Sequence, residues 1–241
     1  ETTWVAEQLL NYIPLSDKEH FLSVFLGNTL QRGFISRASL TGTNYPSTQF
    51  TTISSAAVTT ASATGRLYNG LISYFGGVNY TFKDRYSLDA NVRTDASSRF
   101  GANNRWATFP SVGAAWNIAK EDFLRQNLSF INTLQLKGSI GWTGNQGIPD
   151  FSSQLLWTGG NNYLDKPGVA PTQLGNENLK WETTRQWNVG LETSLFDRRV
   201  SLNVDLYNKY TKDLLLEVPT PAKTGFSSSY QNFGEISNKG F

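Results

Sequence analysis

The feature that most constrains the fold is an alternation of apolar and polar residues along unusually long runs. The clearest runs span 72–82, 86–93, 134–142, 187–195 and 200–206. In the second run, apolar Leu88 and Val92 alternate with polar Asp89 and Arg93. A period of two is typical of strands that have one apolar and one polar face, and a helical period does not fit these runs. The chain is therefore predicted to be all-β.

Nine strands are predicted in total. Three of the other four span 3–13, 22–30 and 106–118, and the fourth begins near Phe233. Many reach ten residues or more, against about 5–6 in globular proteins, and a tilted transmembrane strand needs about 9–11. Pro110 removes one backbone donor, so we expect an edge-like or bulged position there.

The connections between these strands differ in length at the two ends of the predicted sheet. Short ones span 14–18, 83–85 and 197–198, and long, loop-like ones span 33–69, 144–180 and 215–232. Short turns at one end and long loops at the other are typical of outer-membrane barrels. Two connections fit less well. The connection 98–104 is short although it lies at the long-loop end, and 119–132 is long although it lies at the short-turn end, with a predicted helical turn at 121–125. Within the first long loop, 51–65 is predicted to be flexible polar sequence.

Alternation alone does not separate a membrane barrel from a soluble sheet with one wet face. Two patterns favour an antiparallel transmembrane β-barrel. The strand charges fall on one face, where they would line a watery lumen, and aromatic side chains gather near the short turns, where rings meet lipid headgroups. These charges are Asp89, Arg93, Asp95, Lys137, Glu192 and Asp205, and the rings are Tyr80, Phe82, Tyr86 and Phe196. At roughly 30 residues per strand, a 22-stranded transporter barrel would need roughly 660 residues, of which this chain supplies about a third.

Composition excludes several kinds of site. The chain has no Cys, no Met, one His (His20) and a net charge of +2. Disulfides, thiolate or two-histidine metal sites and nucleic-acid binding are therefore not expected. Asp89 and Asp95 lie about 20 Å apart along one strand, too far for the paired carboxylates of glycoside hydrolysis. We predict no catalytic residues, no metal and no cofactor. The first residue is Glu1, not Met, so we expect a processed product or a piece of a longer protein.

Five segments carry a resemblance to a known family. They read YSLDANVRTDASSRFGANNRWATFPSVGAAWNI (86–118), KGSIGWTGNQGI (137–148), NENLKWETTRQWNVGLE (176–192), FDRR with SLNVDLYNKYTKDLLL (196–216) and TGFSSSYQNFGEISNKGF (224–241). In this order they resemble the SusC/RagA-type TonB-dependent outer-membrane transporters. The resemblance is strong over 66–241 and weak before that.

The resemblance implies a 22-stranded, multi-pass barrel in the outer membrane of a Gram-negative cell, with an amino-terminal plug domain inside it. Such proteins import oligosaccharides or peptides with a SusD-like surface lipoprotein, powered by the TonB complex. This chain departs from the pattern because it has no plug, no TonB-contacting motif and no closing strands. We therefore expect a barrel segment of about 8–9 strands, with Phe241 as a cut point rather than a natural barrel end.

Candidate contact residues follow from these expectations. Flat rings stack on sugar faces, so Trp157, Tyr163 and Trp181 are candidate substrate-binding residues, although Trp181 also suits the belt of rings at the membrane interface. Lumen-facing Asp89, Asn91, Arg93 and Asp95 are expected to form cross-strand ion pairs or to contact the plug or the substrate. The alternative is a soluble β-sandwich or small closed barrel that binds glycans through Trp157 and Tyr163. That alternative requires the apolar faces to be packed inside the protein.

Overall fold

The computed structural model describes residues 1–127 and 130–241, and at 61–64 and 125–127 it describes the backbone only. A nine-stranded antiparallel sheet dominates, in the order β1-β2-β3-β4-β5-β6-β9-β10-β13. Its strands are β1 (Thr2–Ser16), β2 (His20–Thr43), β3 (Val58–Phe82), β4 (Tyr86–Ser97), β5 (Trp106–Asn117), β6 (Ile131–Asn145), β9 (Glu182–Leu195), β10 (Val200–Lys212) and β13 (Glu235–Gly240). Each strand pairs with its neighbour in the chain except where two small hairpins are inserted, and β1 and β13 form the edges. The predicted all-β, antiparallel barrel segment is confirmed.

The inserted hairpins lie in two of the long connections. One consists of β7 (Leu156–Gly159) and β8 (Val169–Gln173), and the other of β11 (Leu215–Pro219) and β12 (Ser228–Asn232). Three 3-10 turns (Ile53–Ser55, Ile118–Lys120 and Ala222–Thr224) and one short helix, α1 (Asp122–Asn127), complete the elements. Among the described residues, no helix has the length and apolar character needed to cross a membrane.

The apolar face of the sheet is uncovered. Leu88, Val189 and Val204 are 48, 43 and 42 % exposed, and their cross-strand neighbours on the same face are mostly apolar too. Soluble monomers rarely expose a contiguous apolar area of this extent, whereas a membrane barrel presents such a band to lipid. The soluble β-sandwich is therefore wrong, because it required these side chains to be buried between two sheets.

A row of rings in mutual contact marks the short-turn end of this face. Ring centroids lie 4.9 Å apart for His20 and Phe82, 6.3 Å for Phe82 and Tyr86, and 6.3 Å for Tyr86 and Trp116. Phe130 and Phe196 form a further stack at 5.6 Å. The prediction that aromatic side chains gather beside the short turns is confirmed. We call these six residues the aromatic girdle.

The strands β2 and β3 run much further than predicted. The expected loop over 33–69 is wrong, because pairing continues from His20↔Phe82 as far as Thr43↔Val58. The segment 51–65, expected to be flexible polar loop, includes a 3-10 turn and the start of β3. Beyond the lipid both faces of a hairpin meet water, so apolar and polar residues no longer need to alternate. The Thr-rich sequence there still favours a strand, because β-branched residues have high strand propensity.

Two smaller predictions have clear outcomes. Pro110 is edge-like as expected, because pairing of β5 with β6 stops at Ser111. No bulge accompanies it, since the register with β4 stays continuous through Val92↔Pro110. The helical turn expected at 121–125 is present as α1 and the 3-10 turn before it. Residues 128 and 129 of the predicted 119–132 connection lie outside the described residues.

The connection that carries α1 is tied to the girdle through Glu121. Its carboxylate accepts hydrogen bonds from the Tyr86 hydroxyl (2.5 Å), Trp116 Nε1 (3.0 Å) and Arg85 Nη1 (3.0 Å). Arg85 also binds Asp122 through Nη2, at 3.1 Å. The hydrogen bond from Tyr86, followed by that from Trp116, lowers the pKa of Glu121 below its usual value because both stabilise the ionised form.

We expect the short-turn end to weaken at acid pH through this carboxylate. The pKa of Glu121 is lower in the folded protein than in the unfolded chain, where it is about 4.3. Its contribution to the free energy of unfolding is therefore complete above the unfolded-state pKa and is lost as the pH falls through the folded-state pKa. Glu121→Gln should therefore flatten the fall in unfolding free energy between about pH 5 and pH 3. Urea unfolding of the complete protein at several pH values measures this. Glu177→Gln is the control, because the Glu177 side chain is exposed and binds no other described residue. An unchanged acid slope in Glu121→Gln would contradict the assignment.

Candidate functional site

The polar face of the sheet holds a fixed network around Arg93. Its Nε donates to Asp95 Oδ1 at 2.8 Å, and its Nη2 donates to Ser73 Oγ at 2.8 Å. The guanidinium carbon lies 5.6 Å from the centre of the Phe75 ring, which is a cation–π distance. Asp95 and Ser73 are buried. Arg93 is thus held in one orientation, with 45 % of its side chain exposed to the interior side of the sheet.

A second polar cluster lies nearer the short-turn end, where glycine makes room for an ion pair. Lys137 Nζ and Asp205 Oδ1 are 3.5 Å apart and face each other across Gly190 of the intervening strand. A Cβ atom on Gly190 would lie 2.3 Å from Asp205 Oδ1. Asp89 lines the same cavity of about 290 Å³ and has no ion-pair partner among the described residues. The cross-strand ion pair on this face joins Lys137 and Asp205, whereas Arg93, for which such a pair was expected, binds Asp95 of its own strand.

On the β2 side of the Arg93 network, two phenylalanines cover glycines of the opposite strand. Phe25 of β2 lies over Gly77, and Phe75 of β3 lies over Gly27, so a Cβ on either glycine would come within 2.7 Å of the covering ring. A groove of about 460 Å³ lies beside them. Asn91, Arg93 and Asp95 line this groove together with Phe25, Phe75, Phe109 and Trp142. Three of the four predicted lumen-facing polar residues therefore share one groove, and Asp89 belongs to the neighbouring cavity.

The buried apolar core lies where the long loops fold over the end of the sheet. Among the described residues it consists of Phe100, Phe109, Ile148, Leu179 and Trp181. The Trp181 ring is 4.9 Å from Phe100 and 5.6 Å from Phe109, centre to centre. Its Nε1 donates to the backbone oxygen of Arg105 at 2.7 Å. Trp181 is only 6 % exposed, so the expectation of an accessible ring, at a substrate site or in the interface belt, is wrong.

Asparagine side chains join the loops to one another around this core. Asn232 accepts a hydrogen bond from the Lys180 backbone at 2.9 Å and donates to Lys180 O at 2.7 Å and Asp213 O at 3.0 Å. Asn176 donates to Tyr230 O at 3.0 Å. These contacts join the loop before β9 to the hairpin β11–β12. Sequence reasoning missed them, and the available signal was the asparagines beside aromatic residues in NENLKW and QNF.

Gly101 is the point of closest approach between two of the loops. Its backbone nitrogen donates to Leu179 O at 3.3 Å, and a Cβ added there would lie 1.7 Å from the backbone oxygen of Glu177. We expect Gly101→Ala to push the loops apart and to cost about 1–3 kcal/mol of stability. Limited proteolysis of the loops, together with urea unfolding, measures the effect. Gly159→Ala is the matched control, since nothing lies within 4 Å of a Cβ at that position. Equal behaviour of the two variants would contradict the proposed close contact.

The other two predicted aromatic residues lie on the exposed hairpin region between β6 and β9. Trp157 is 59 % and Tyr163 is 78 % exposed. Tyr163 and Lys166 form a two-residue turn around Leu164 and Asp165, both with positive φ, closed by two backbone hydrogen bonds of 3.0 Å. Their rings are accessible, in contrast to Trp181, and their role in substrate binding stays a prediction.

Comparisons with known proteins agree along almost the whole chain. A family model described as TonB dependent receptor-like, beta-barrel matches residues 7–241. TonB-dependent receptor P39 of Formosa agariphila is 37 % identical over 237 residues, which is 98 % of this chain and 23 % of that protein. TonB-dependent receptor SusC of Bacteroides thetaiotaomicron is 38 % identical over 180 residues, which is 71 % of this chain and 18 % of SusC. The structure of the RagAB peptide transporter superposes with a TM-score of 0.88 at 31 % identity, covering 98 % of this chain and 26 % of that chain. This chain thus spans about a quarter or less of these three proteins.

Proposed function

The chain belongs to the TonB-dependent receptor β-barrel family, and on that premise we propose that it forms part of the barrel wall of an outer-membrane nutrient importer. The observation that carries the proposal is the sheet's two unlike faces. One is an uncovered apolar face bordered by the aromatic girdle, and the other is a polar face with fixed ion pairs. A wall between lipid and a hydrated lumen needs this division.

The remaining parts of the importer are proposed from the relatives. Because the chain covers 23 % of P39 and 26 % of the matched RagAB chain, we propose that a complete receptor adds a plug domain and the strands that close a 22-stranded barrel. We propose energy supply by the TonB complex and pairing with a SusD-like lipoprotein. The cargo is proposed to be a peptide or an oligosaccharide. A peptide is supported by the similarity to the RagAB peptide transporter, and accessible Trp157 and Tyr163 also suit a sugar ring.

Depletion of a defined medium tests the import function. Cells with the complete receptor, cells that lack it and cells that lack TonB would grow on a casein digest mixed with partly hydrolysed plant polysaccharide. Mass spectrometry of the medium then follows each oligomer. We expect at least one class of oligomer to remain when either the receptor or TonB is removed, and to disappear when the receptor is restored. Identical depletion by all strains would overturn the proposal.

The hairpin aromatics give a sharper test once an imported oligomer is known. Trp157→Ala with Tyr163→Ala should raise the half-saturating concentration for uptake by about ten-fold, since aromatic contacts contribute about 0.5–1.5 kcal/mol each. Stability should not change, because both rings are exposed. Exposed Phe50, on the loop between β2 and β3, provides the control Phe50→Ala. Unchanged uptake by the double variant would remove these two residues from the substrate path.

A further inference from the structure

Four cationic side chains line one cavity at the short-turn end. The cavity has a volume of about 690 Å³, and Lys83, Arg85, Lys120 and Arg198 form much of its wall. They come from three separate connections: the β3–β4 turn, the segment before α1 and the β9–β10 turn. Among the described residues that line the cavity, none is acidic. Convergence of like charges from distant parts of the chain on one concave surface favours an anionic ligand.

Nearby carboxylates leave part of this positive charge available. Arg85 is firmly held by Glu121 and Asp122, at 3.0 and 3.1 Å. Among the described residues, Lys83 and Lys120 make only long, exposed ion pairs of 3.4 Å, with Glu19 and Asp84 respectively. Lys83 Nζ also lies 5.1 Å from the centre of the Phe82 ring. The Arg198 guanidinium makes no ion pair or side-chain hydrogen bond within residues 1–127 and 130–241. Exposed pairs of this kind are weak and exchange readily with other anions.

The cavity lies beside the aromatic girdle. Lys83 directly follows Phe82, Arg85 directly precedes Tyr86, and Lys120 directly precedes Glu121, whose carboxylate binds Tyr86 and Trp116. The rings belong to the apolar face, so the cations lie at the depth where lipid headgroups meet a membrane barrel. Basic pockets at this depth bind phosphate-bearing headgroups.

We propose that this cavity binds the phosphate of an anionic phospholipid headgroup, with the acyl chains lying along the adjoining apolar face. Lys83 and Arg198 supply the charge that is free to pair with the phosphate, and Arg85 is pre-oriented by its two carboxylates. The site acts on the membrane side of the barrel and does not depend on which oligomer is imported.

Retention of lipid by the complete receptor tests the site. The protein is reconstituted in nanodiscs of phosphatidylcholine with about one-third phosphatidylglycerol, released into neutral detergent and examined by native mass spectrometry. We expect bound phosphatidylglycerol to be enriched over phosphatidylcholine. In Lys83→Ala/Arg198→Ala this preference should fall at least five-fold. Each cation near the headgroups raises the affinity for an anionic lipid by about five-fold. Lys18→Ala/Arg199→Ala removes the same charge from the same end but outside the cavity, and should stay within about two-fold of the unmodified protein.

Two results with these variants would decide against the proposal. An equal loss in both double variants would indicate diffuse attraction rather than a site, and no loss in Lys83→Ala/Arg198→Ala would exclude the cavity. Inorganic phosphate at increasing concentration is the second probe. Displacement of retained phosphatidylglycerol by phosphate supports recognition of the phosphate group, whereas phosphate binding without any lipid preference would overturn the lipid as its source. Unchanged heat-modifiable migration on a denaturing gel shows that each variant is folded.

Discussion

Arginine in place of Val204 is expected to lower the free energy of unfolding by about 2–4 kcal/mol. Val204 lies on the apolar face of β10, with Leu191 opposite it on β9 and Leu202 and Leu206 on either side along its own strand. A cation at this depth has no water, and none of the described residues next to Val204 on this face carries a carboxylate. Urea unfolding of the complete receptor in lipid vesicles measures the change.

The adjacent residue provides the control for this result. Asn203 lies on the opposite, polar face of the same strand, opposite Glu192. Asn203→Arg should therefore be close to neutral, because its charge meets water and a carboxylate. If both variants behaved alike, the two faces of the sheet would not meet different solvents, and the assignment of the apolar face to lipid would fail.

Removal of the Trp181 ring is expected to have the second large effect. Trp181→Ala empties the centre of the loop core between Phe100 and Phe109 and leaves the Arg105 carbonyl without its indole donor. Large-to-alanine changes at buried aromatic positions cost about 3–5 kcal/mol. We expect the loss to appear in the loops first, as faster proteolysis between β6 and β9, while the strands below remain protected from hydrogen exchange.

A tryptophan in the same connection serves as the matched control. Trp157→Ala removes the same side chain from a position that is 59 % exposed, so proteolysis and unfolding should change little. Equal loss of protection in the two variants would show that the loops are not organised around Trp181.

The strand pattern could be predicted because a barrel wall repeats one physical demand along its length. Between about 72 and 206, lipid on one side and water on the other impose an alternation that the sequence displays directly. The strands that were mispredicted, 31–43 and 58–71, lie where both sides meet water and the alternation fades. Strand propensity was the remaining signal there, and it is weaker than alternation.

The candidate site could be predicted only in part, because side-chain contacts depend on register and on loop packing. The alternation along β4 predicted that Asp89, Arg93 and Asp95 lie on one face, because every second residue of a strand points to the same side. The contacts of Arg93 with Phe75 and Ser73 could not be predicted in this way, because they depend on the register between β3 and β4. The burial of Trp181 depends on three loops folding together, and no local pattern around Trp181 distinguishes it from exposed Trp157.

The edge strand β1 has a practical consequence for handling this segment in isolation. Thirteen of its fifteen residues are paired on one side with β2, and the opposite side presents backbone donors and acceptors without a partner among the described strands of the sheet. A long, flat edge with apolar side chains is a template for intermolecular strand addition. In plain buffer, separate copies should therefore join edge to edge into insoluble assemblies, and refolding should require detergent or lipid from the first step.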